Sequence, residues 1–378
     1  MKTVFIFIIF ITQWCYAVDQ PEISILTCSP GDEVYSVFGH SAIRIIDKEK
    51  STDVVYNFGI FDFDAPNFTF KFIGGKLRYS LGIQKTKDFI KQCSDENRLV
   101  SEQKLSLTEK DKGKLIAKLN FLYRPENRQY LYSFLEKNCS TEISDLLQGL
   151  DVSFSDQDLA ESNRKLINAH LEKNLWLRFG VNLLLGKTLD RNSNKYQRMF
   201  LPIYLEEGIN NASLNGIPLV NSEIVLNEVE KKTKSDFQNR FSPLVVFSLL
   251  LLIFLFWFPK SIQLLISFLI GATGLILSLM WLFSEHPEVK FNLNVIWCNP
   301  LYLMYILQII RIKSSAVLAF VLFMSIVGVI FMWILNLQSF DIAIIPILFI
   351  LGIINFKQIK RTGYNKLTET KRSLELKL

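Results

Sequence analysis

The feature that most constrains this chain is a block of Leu, Ile, Phe and Val filling residues 242–356. A soluble core does not need so long an apolar stretch, whereas a bilayer core takes about 20 helical residues per crossing. Polar breaks divide the block into five predicted segments: 242–258, 262–283, 295–310, 315–335 and 342–356, of which the third and fifth are short for a crossing. Lys260 separates the first two, Arg311 and Lys313 separate the third and fourth, and a basic tail follows the fifth. These positions alternate, so all three fall on one side, and the side that collects Lys and Arg is the cytoplasm. The loop 284–294, the turn 336–341 and everything before residue 241 are then expected outside.

Composition agrees with a membrane protein. Of 378 residues 49% are hydrophobic, and the net charge is only +6. Much of that charge sits in residues 357–378, where Lys357, Lys360, Arg361, Lys366, Lys371, Arg372 and Lys377 face only Glu369 and Glu375. Such a tail suits anionic lipid headgroups. The preceding domain has no basic stripe with interleaved aromatics, which argues against a nucleic-acid partner. Lys2, the apolar run 4–11 and the small residue Ala17 have the order of a secretory leader, with cleavage expected after Ala17. Cys15 follows Thr12-Gln13-Trp14, a poor context for lipidation. The expected organisation is a signal peptide 1–17, an exported domain 18–240, a helical membrane domain 241–356 and a cytoplasmic tail 357–378.

The exported domain has ordinary globular chemistry and a mixed α+β pattern. Residues 34–46 and 54–58 alternate as paired strands, and 67–81 are expected to continue as strand, bent at Gly74-Gly75. Thr108 is the expected N-cap of a helix ending near Leu122, a second helix starts near Asn138, and 162–185 is largely helical. Residues 223–240 are polar and predict a helix or linker into the membrane.

Few residues can carry chemistry. His40, His170 and His286 are the only histidines, and the cysteines Cys15, Cys28, Cys93, Cys139 and Cys298 show no metal-type spacing. No Gly-x-Ser-x-Gly elbow and no phosphate loop occurs, and no cofactor is implied. Ile143, Leu146, Leu147 and Leu150 form one helical face, and Asn138 before it is a good N-cap. Cys139 therefore falls in a first turn, where the helix dipole and unpaired N–H groups favour a thiolate and can donate to an oxyanion. His40 lies on the 34–46 strand beside Gly39, in the order strand histidine then helix cysteine. That pairing suits thiol catalysis, although a buried structural cysteine and a satisfied structural histidine would show the same residue types. Cys28 and Cys93 could form a disulfide outside the cytoplasm, which their spacing leaves open.

The order of histidine strand and cysteine helix resembles the circularly permuted, papain-like NlpC-type thiol enzymes. Closer still, 38–45 (FGHSAIRI), 56–63 (YNFGIFDF), 125–130 (PENRQY) and 138–141 (NCST) resemble the Lnb family. So do His286-Pro287, 292–297 (NLNVIW) and Asn299-Pro300 in the membrane part. Ser140 departs from the alanine common in that family. The resemblance implies a periplasmic thiol domain on a helical anchor in the bacterial inner membrane. It also implies lipoprotein N-acylation: an acyl chain passes through a thioester on Cys139, with His40 as base and then acid, to the α-amine of a diacylglyceryl lipoprotein. The acyl donor is a phospholipid or a lipoprotein. His40 needs an orienting partner, which Asn57 or Asp62 could be. Substrate contacts are expected at Asn138, Arg128 and Tyr130, and, because the 284–294 loop shares the side of Cys139, at His286, Asn292, Asn294 and Trp297. The same dyad could serve a membrane-anchored cysteine peptidase or amidase. A non-catalytic assembly protein and a transporter are further alternatives, the last disfavoured by the few ionisable groups at mid-depth.

Overall fold

The computed structural model describes residues 20–62, 64–155, 161–230, 240–257, 259–311 and 316–375. The expected signal peptide lies outside these residues. The chain is a mixed α/β N-terminal domain followed by a helical region with membrane-like helices.

The N-terminal domain is built on strands β1 (Glu22–Cys28), β2 (His40–Asp47), β3 (Thr52–Ile60), β4 (Arg78–Lys85), β5 (Val100–Leu105) and β6 (Gln129–Leu131). A small hairpin, β7 (Ser213–Leu214) and β8 (Ile217–Pro218), precedes β9 (Val220–Val225). Among the described residues the large sheet runs β6-β4-β3-β2-β1-β5-β9, antiparallel throughout. Its central strands are covered on both faces, which is why β1 is buried along nearly its whole length. On one face Ile23, Ile25, Ile43, Ile45, Tyr56 and Phe58 pack against helices α3 (Glu109–Tyr123) and α4 (Cys139–Gln148). On the other, Leu26, Ala42 and Val55 meet Phe89 and Cys93 of α2 (Thr86–Asp95). Helix α3 starts as expected, with the Thr108 side chain accepting the Asp111 amide at 3.2 Å.

Three expectations change. Residues 34–38 form a turn before β2, and residues 223–225 close the sheet as the end of β9. The stretch expected as strand from residue 67 begins instead as helix α1 (Phe68–Ile73), entered through Asn67 in the left-handed region at φ 58°. Phe68, Phe70 and Phe72 mimic a strand period, but β4 already pairs with β3 and β6 on its two sides, so it has no free edge for them. None of the α1 residues is buried.

Helices α5 (Asn163–His170), α6 (Leu175–Leu184), α7 (Lys195–Arg198) and α8 (Pro202–Asn210) follow. The apolar block then forms α9 (Pro243–Phe256), α10 (Lys260–Phe283), α11 (Asn294–Trp297), α12 (Leu301–Arg311), α13 (Ala316–Ile334) and α14 (Ile344–Glu375). Helices α10 and α13 are long and apolar enough to cross a membrane, while α9 and α6 are shorter apolar helices. The third expected segment is broken between α11 and α12 at Cys298–Pro300. The last helix runs past the expected limit at residue 356 into the basic tail. Phe179 and Leu183 of α6 pack on the core of the C-terminal helices, so this helix belongs to the junction between the two parts.

Gly39 makes the turn into β2 at φ +86°, and a Cβ there would lie 2.9 Å from the Cys28 carbonyl. Gly113 lies inside α3 with nothing within 4 Å of an added Cβ. Gly39→Ala should cost about 1–3 kcal/mol from backbone strain alone and lower the melting temperature. Gly113→Ala should raise stability by about 0.5–1 kcal/mol. Thermal unfolding of the detergent-solubilised protein checks both signs.

Candidate active site

Two loops bring the chemistry together at one end of the sheet. The Gly39 turn delivers His40 as the first residue of β2, and Asn138 starts α4 one residue before Cys139. Asn138 is 4% exposed and fully engaged. Its Oδ1 accepts the Ser140 and Thr141 amides at 2.8 and 3.0 Å, and its Nδ2 donates to the carbonyls of Phe134 and Phe200 at 2.7 and 2.9 Å. The Thr141 hydroxyl in turn accepts the Asn138 amide at 2.8 Å, completing a capping box. Asn138 is thus a structural cap with no group left for a substrate, which corrects the expectation of a substrate contact. The Ser140 and Thr141 amides are likewise unavailable to an oxyanion. The amide of Cys139 itself has no acceptor among the described residues.

His40 and Cys139 lie close enough that each responds to the other's charge. Of the two residues expected to orient His40, it is Asn57 that meets it: Asn57 Oδ1 lies 2.7 Å from His40 Nε2. That oxygen can only accept, so Nε2 carries the proton and Nδ1 is left for the thiol. Asp62 is elsewhere, its Oδ1 accepting the Asp64 amide at 2.9 Å. Burial works against a charged Cys139, but the His40 charge, its hydrogen bond, the Ser41 amide and the Ser140 hydroxyl outweigh it and bring the thiol down to about 7. Burial also opposes a charged His40. The Cys139 thiolate and the bonds to Cys139 and Asn57 overcome it and raise the imidazole above its ordinary value. The arrangement favours a thiolate–imidazolium pair at neutral pH. Ser140, the departure from the family pattern, is buried with its hydroxyl 3.3 Å from that of Ser41 and 3.9 Å from the Cys139 sulfur.

Tyrosines wall the thiol. The buried Tyr130 hydroxyl has no partner among the described residues and feels the Cys139 charge. Tyr132 does too, and stacks on Tyr79 at 4.4 Å between centroids. Arg128 is exposed on the edge strand's approach, and its backbone carbonyl accepts from Leu81 at 2.9 Å. Cys28 and Cys93 are adjacent buried free thiols behind His40. Contact with Cys93 and burial hold the Cys28 thiol protonated, well above its ordinary value.

With this geometry established, comparison with known proteins identifies both parts of the chain. Residues 12–171 match the Lnb N-terminal periplasmic domain, and residues 232–365 match the Lnb transmembrane domain. The chain belongs to the Lnb family. No curated protein and no solved structure matches it. As an Lnb-family chain it is an enzyme-type membrane protein with a periplasmic domain.

The two Lnb domains are joined by the loop after α10, though not through the residues expected. Asn292 and Asn294 are buried, and their side-chain amides donate to the carbonyls of Asn182, Leu183 and Leu184 at 2.8–3.2 Å. Those carbonyls end α6 and have no partner within the helix, so the two asparagines cap it. Trp297 is 1% exposed and donates to Asn294 Oδ1 at 2.9 Å. None of the three presents a polar group to a lipid, which corrects the expectation. His286 Nε2 donates to the Phe72 carbonyl at 2.8 Å, while the Glu285 amide and Ser284 hydroxyl bind the carbonyls of Gly74 and Ile73 at 2.9 Å each. Gly75 permits this approach, since a Cβ there would be 2.8 Å from the His286 nitrogen.

Glu288, unnoticed in the sequence, reaches the site. It is 2% exposed, and its Oε1 accepts the Ser133 hydroxyl at 2.7 Å and the Leu135 amide at 2.9 Å, in the loop that runs into Asn138. Its other oxygen lies 4.0 Å from His286 Nδ1. The one hint in the sequence was an acid in a short loop directly after an apolar helix.

Alkylation of Cys139 by iodoacetamide should rise through an inflection near pH 7 as the thiol loses its proton. In His40→Ala that inflection should move upward, because burial is then unopposed. Glu288→Ala should loosen the loop before Cys139 and slow alkylation at pH 7 by about ten-fold at unchanged membrane abundance, the scale of one lost buried charged hydrogen bond. Rates measured by intact mass across pH check both.

Proposed function

We propose that this protein is a lipoprotein N-acyltransferase of the inner membrane, working through a Cys139 thioester. The observation that carries the reading is the His40–Cys139 pair, oriented by Asn57 and built onto a loop of the membrane domain. Three residues in those roles form a thiol nucleophile, its acid–base partner and the group that fixes the tautomer. The strand histidine ahead of the helix cysteine supports a permuted papain-like fold for the domain, and the cation pattern supports five crossings with the domain in the periplasm.

In the first half-reaction the Cys139 thiolate attacks the carbonyl carbon of an acyl ester. The oxygen that gains charge is met by the Cys139 amide and the Tyr130 hydroxyl, donors without acceptors among the described residues. As the intermediate collapses, the ester C–O bond breaks and His40 gives its proton to the leaving alkoxide. The acyl group is now a thioester. In the second half-reaction the α-amine of a diacylglyceryl cysteine attacks it, His40 takes the amine proton, and the thiolate leaves, with an amide formed. The partners are thus a diacylglyceryl lipoprotein and a lipid acyl donor. Water would compete for the thioester, so the tyrosine wall has a chemical purpose.

Mass spectrometry of lipoprotein N-termini tests the reading. Cells carrying the protein should show N-acylated termini, which Cys139→Ala and His40→Ala should remove while the protein still accumulates. Asn57→Ala should lower acylation by about 10²-fold or more through loss of the tautomer. N-termini that stay acylated with Cys139→Ala as the only copy would contradict it.

A further inference from the structure

Where β3 ends and β4 begins, Ile60, Phe61, Asp62, Lys71, Lys76 and Arg78 line a cleft of about 500 Å³. Its position follows from the sheet register. Asn57 pairs with Gly82 and Ile60 with Ser80. Paired residues share a face, and Arg78, Ser80 and Gly82 alternate onto it, so the cleft opens on the face where Asn57 holds His40. Strands β4 and β2 are two steps apart, so the strand that lines the cleft runs about 10 Å across the sheet from the strand that carries His40. The cleft's charge is not consumed by the fold. Lys76 reaches only Glu285, at 4.0 Å and 62% exposed, and among the described residues Lys71 and Arg78 form no ion pair. Asp62 is the one carboxylate in the lining, against three cations.

The apolar surroundings point to the same class of ligand. Phe70 is 79% exposed, with Phe72 and Ile73 exposed beside it. This helix, α1, is hydrogen-bonded to the loop that leaves α10, so its apolar side chains stand at the end of a membrane-length helix. An exposed apolar patch in that position belongs in lipid. From it, rings run inward: Phe72 to Phe68 at 6.2 Å, Phe68 to Phe61 at 5.9 Å, Phe61 to Tyr79 at 4.9 Å, and Tyr79 to Tyr132 at 4.4 Å. Tyr132 feels the charge of Cys139.

We infer that Lys71, Lys76 and Arg78 hold the phosphate of a membrane glycerophospholipid, whose acyl chain lies along Phe72, Phe68 and Phe61 with its ester carbonyl toward Cys139. This rests on the acyl-transfer reading and names the donor for it. The cationic majority matches a phosphodiester at headgroup depth, and the ring path matches the chain.

The test uses full-length Cys139→Ala protein in phosphatidylcholine nanodiscs, doped with phosphatidylethanolamine carrying a photoactivatable diazirine in its acyl chain. Cross-links should map to residues 60–79. Lys71→Gln/Lys76→Gln/Arg78→Gln should lower that yield by about ten-fold, and Lys71→Arg/Lys76→Arg should retain it, which separates charge from folding. Excess inorganic phosphate should not compete. Equal cross-linking by the triple-Gln protein, cross-links confined to residues 243–375, or full competition by phosphate would each overturn the inference. Because Cys139→Ala cannot transfer acyl groups, a failed transferase reading leaves these cross-links intact. A failed cleft in turn leaves N-terminal acylation of lipoproteins by the wild type unaffected.

Discussion

Four hydrogen bonds from one buried side chain determine where the thiol stands. Asn138 closes the first turn of α4 with its carbonyl oxygen and pins that turn to Phe134 and Phe200 with its amide nitrogen. Cys139 is then held at a helix N-terminus with its own amide unengaged, facing the histidine that the Gly39 turn delivers. The lowered thiol and raised imidazole follow from that placement, since each favours the charge of the other against a burial that disfavours both. Removing the cap would relax the pair, because the Asn138 side chain both closes the first turn and ties it to its neighbours.

The second constraint comes from the membrane side. Loop 284–294 caps the end of α6, ties down α1, and through Glu288 holds the segment leading into Asn138. The N-terminal domain is therefore tied to the helical region by hydrogen bonds of this loop. The segment leading to Cys139, the aromatic helix α1 and the end of α6 meet on one loop, which fixes the thiol relative to the C-terminal helices. That geometry suits a reaction whose reacting groups are both anchored in lipid, since orientation replaces a search in solution.

Much of the site was legible because its parts obey local rules. A good N-cap before a periodic apolar face marks a helix start, so Cys139 could be placed from residues alone, and His40 beside Gly39 followed from strand alternation. The choice between Asn57 and Asp62 was not legible. Both follow β2 closely in sequence, and only the sheet register and the bulge after Asn57 turn one toward His40. Phe68, Phe70 and Phe72 imitate a strand, because a short helix with no buried residue has no core face to impose a helical period. Asn292 and Asn294 were expected at lipid, where polar residues near a span often lie. Their partners, the unpaired carbonyls of α6, are over a hundred residues away in the chain, and no local pattern announces them. Glu288 was missed for the same reason.

The central claim is covalent: an acyl group resides on Cys139 between two lipids. The most direct measurement is the intact mass of the purified protein after brief incubation with phospholipid in the absence of any lipoprotein acceptor. The expected result is a mass increase of one fatty acyl group, located on the peptide containing Cys139, discharged by neutral hydroxylamine and absent from Cys139→Ser. An unmodified Cys139 under conditions where added lipoprotein does become N-acylated would contradict it.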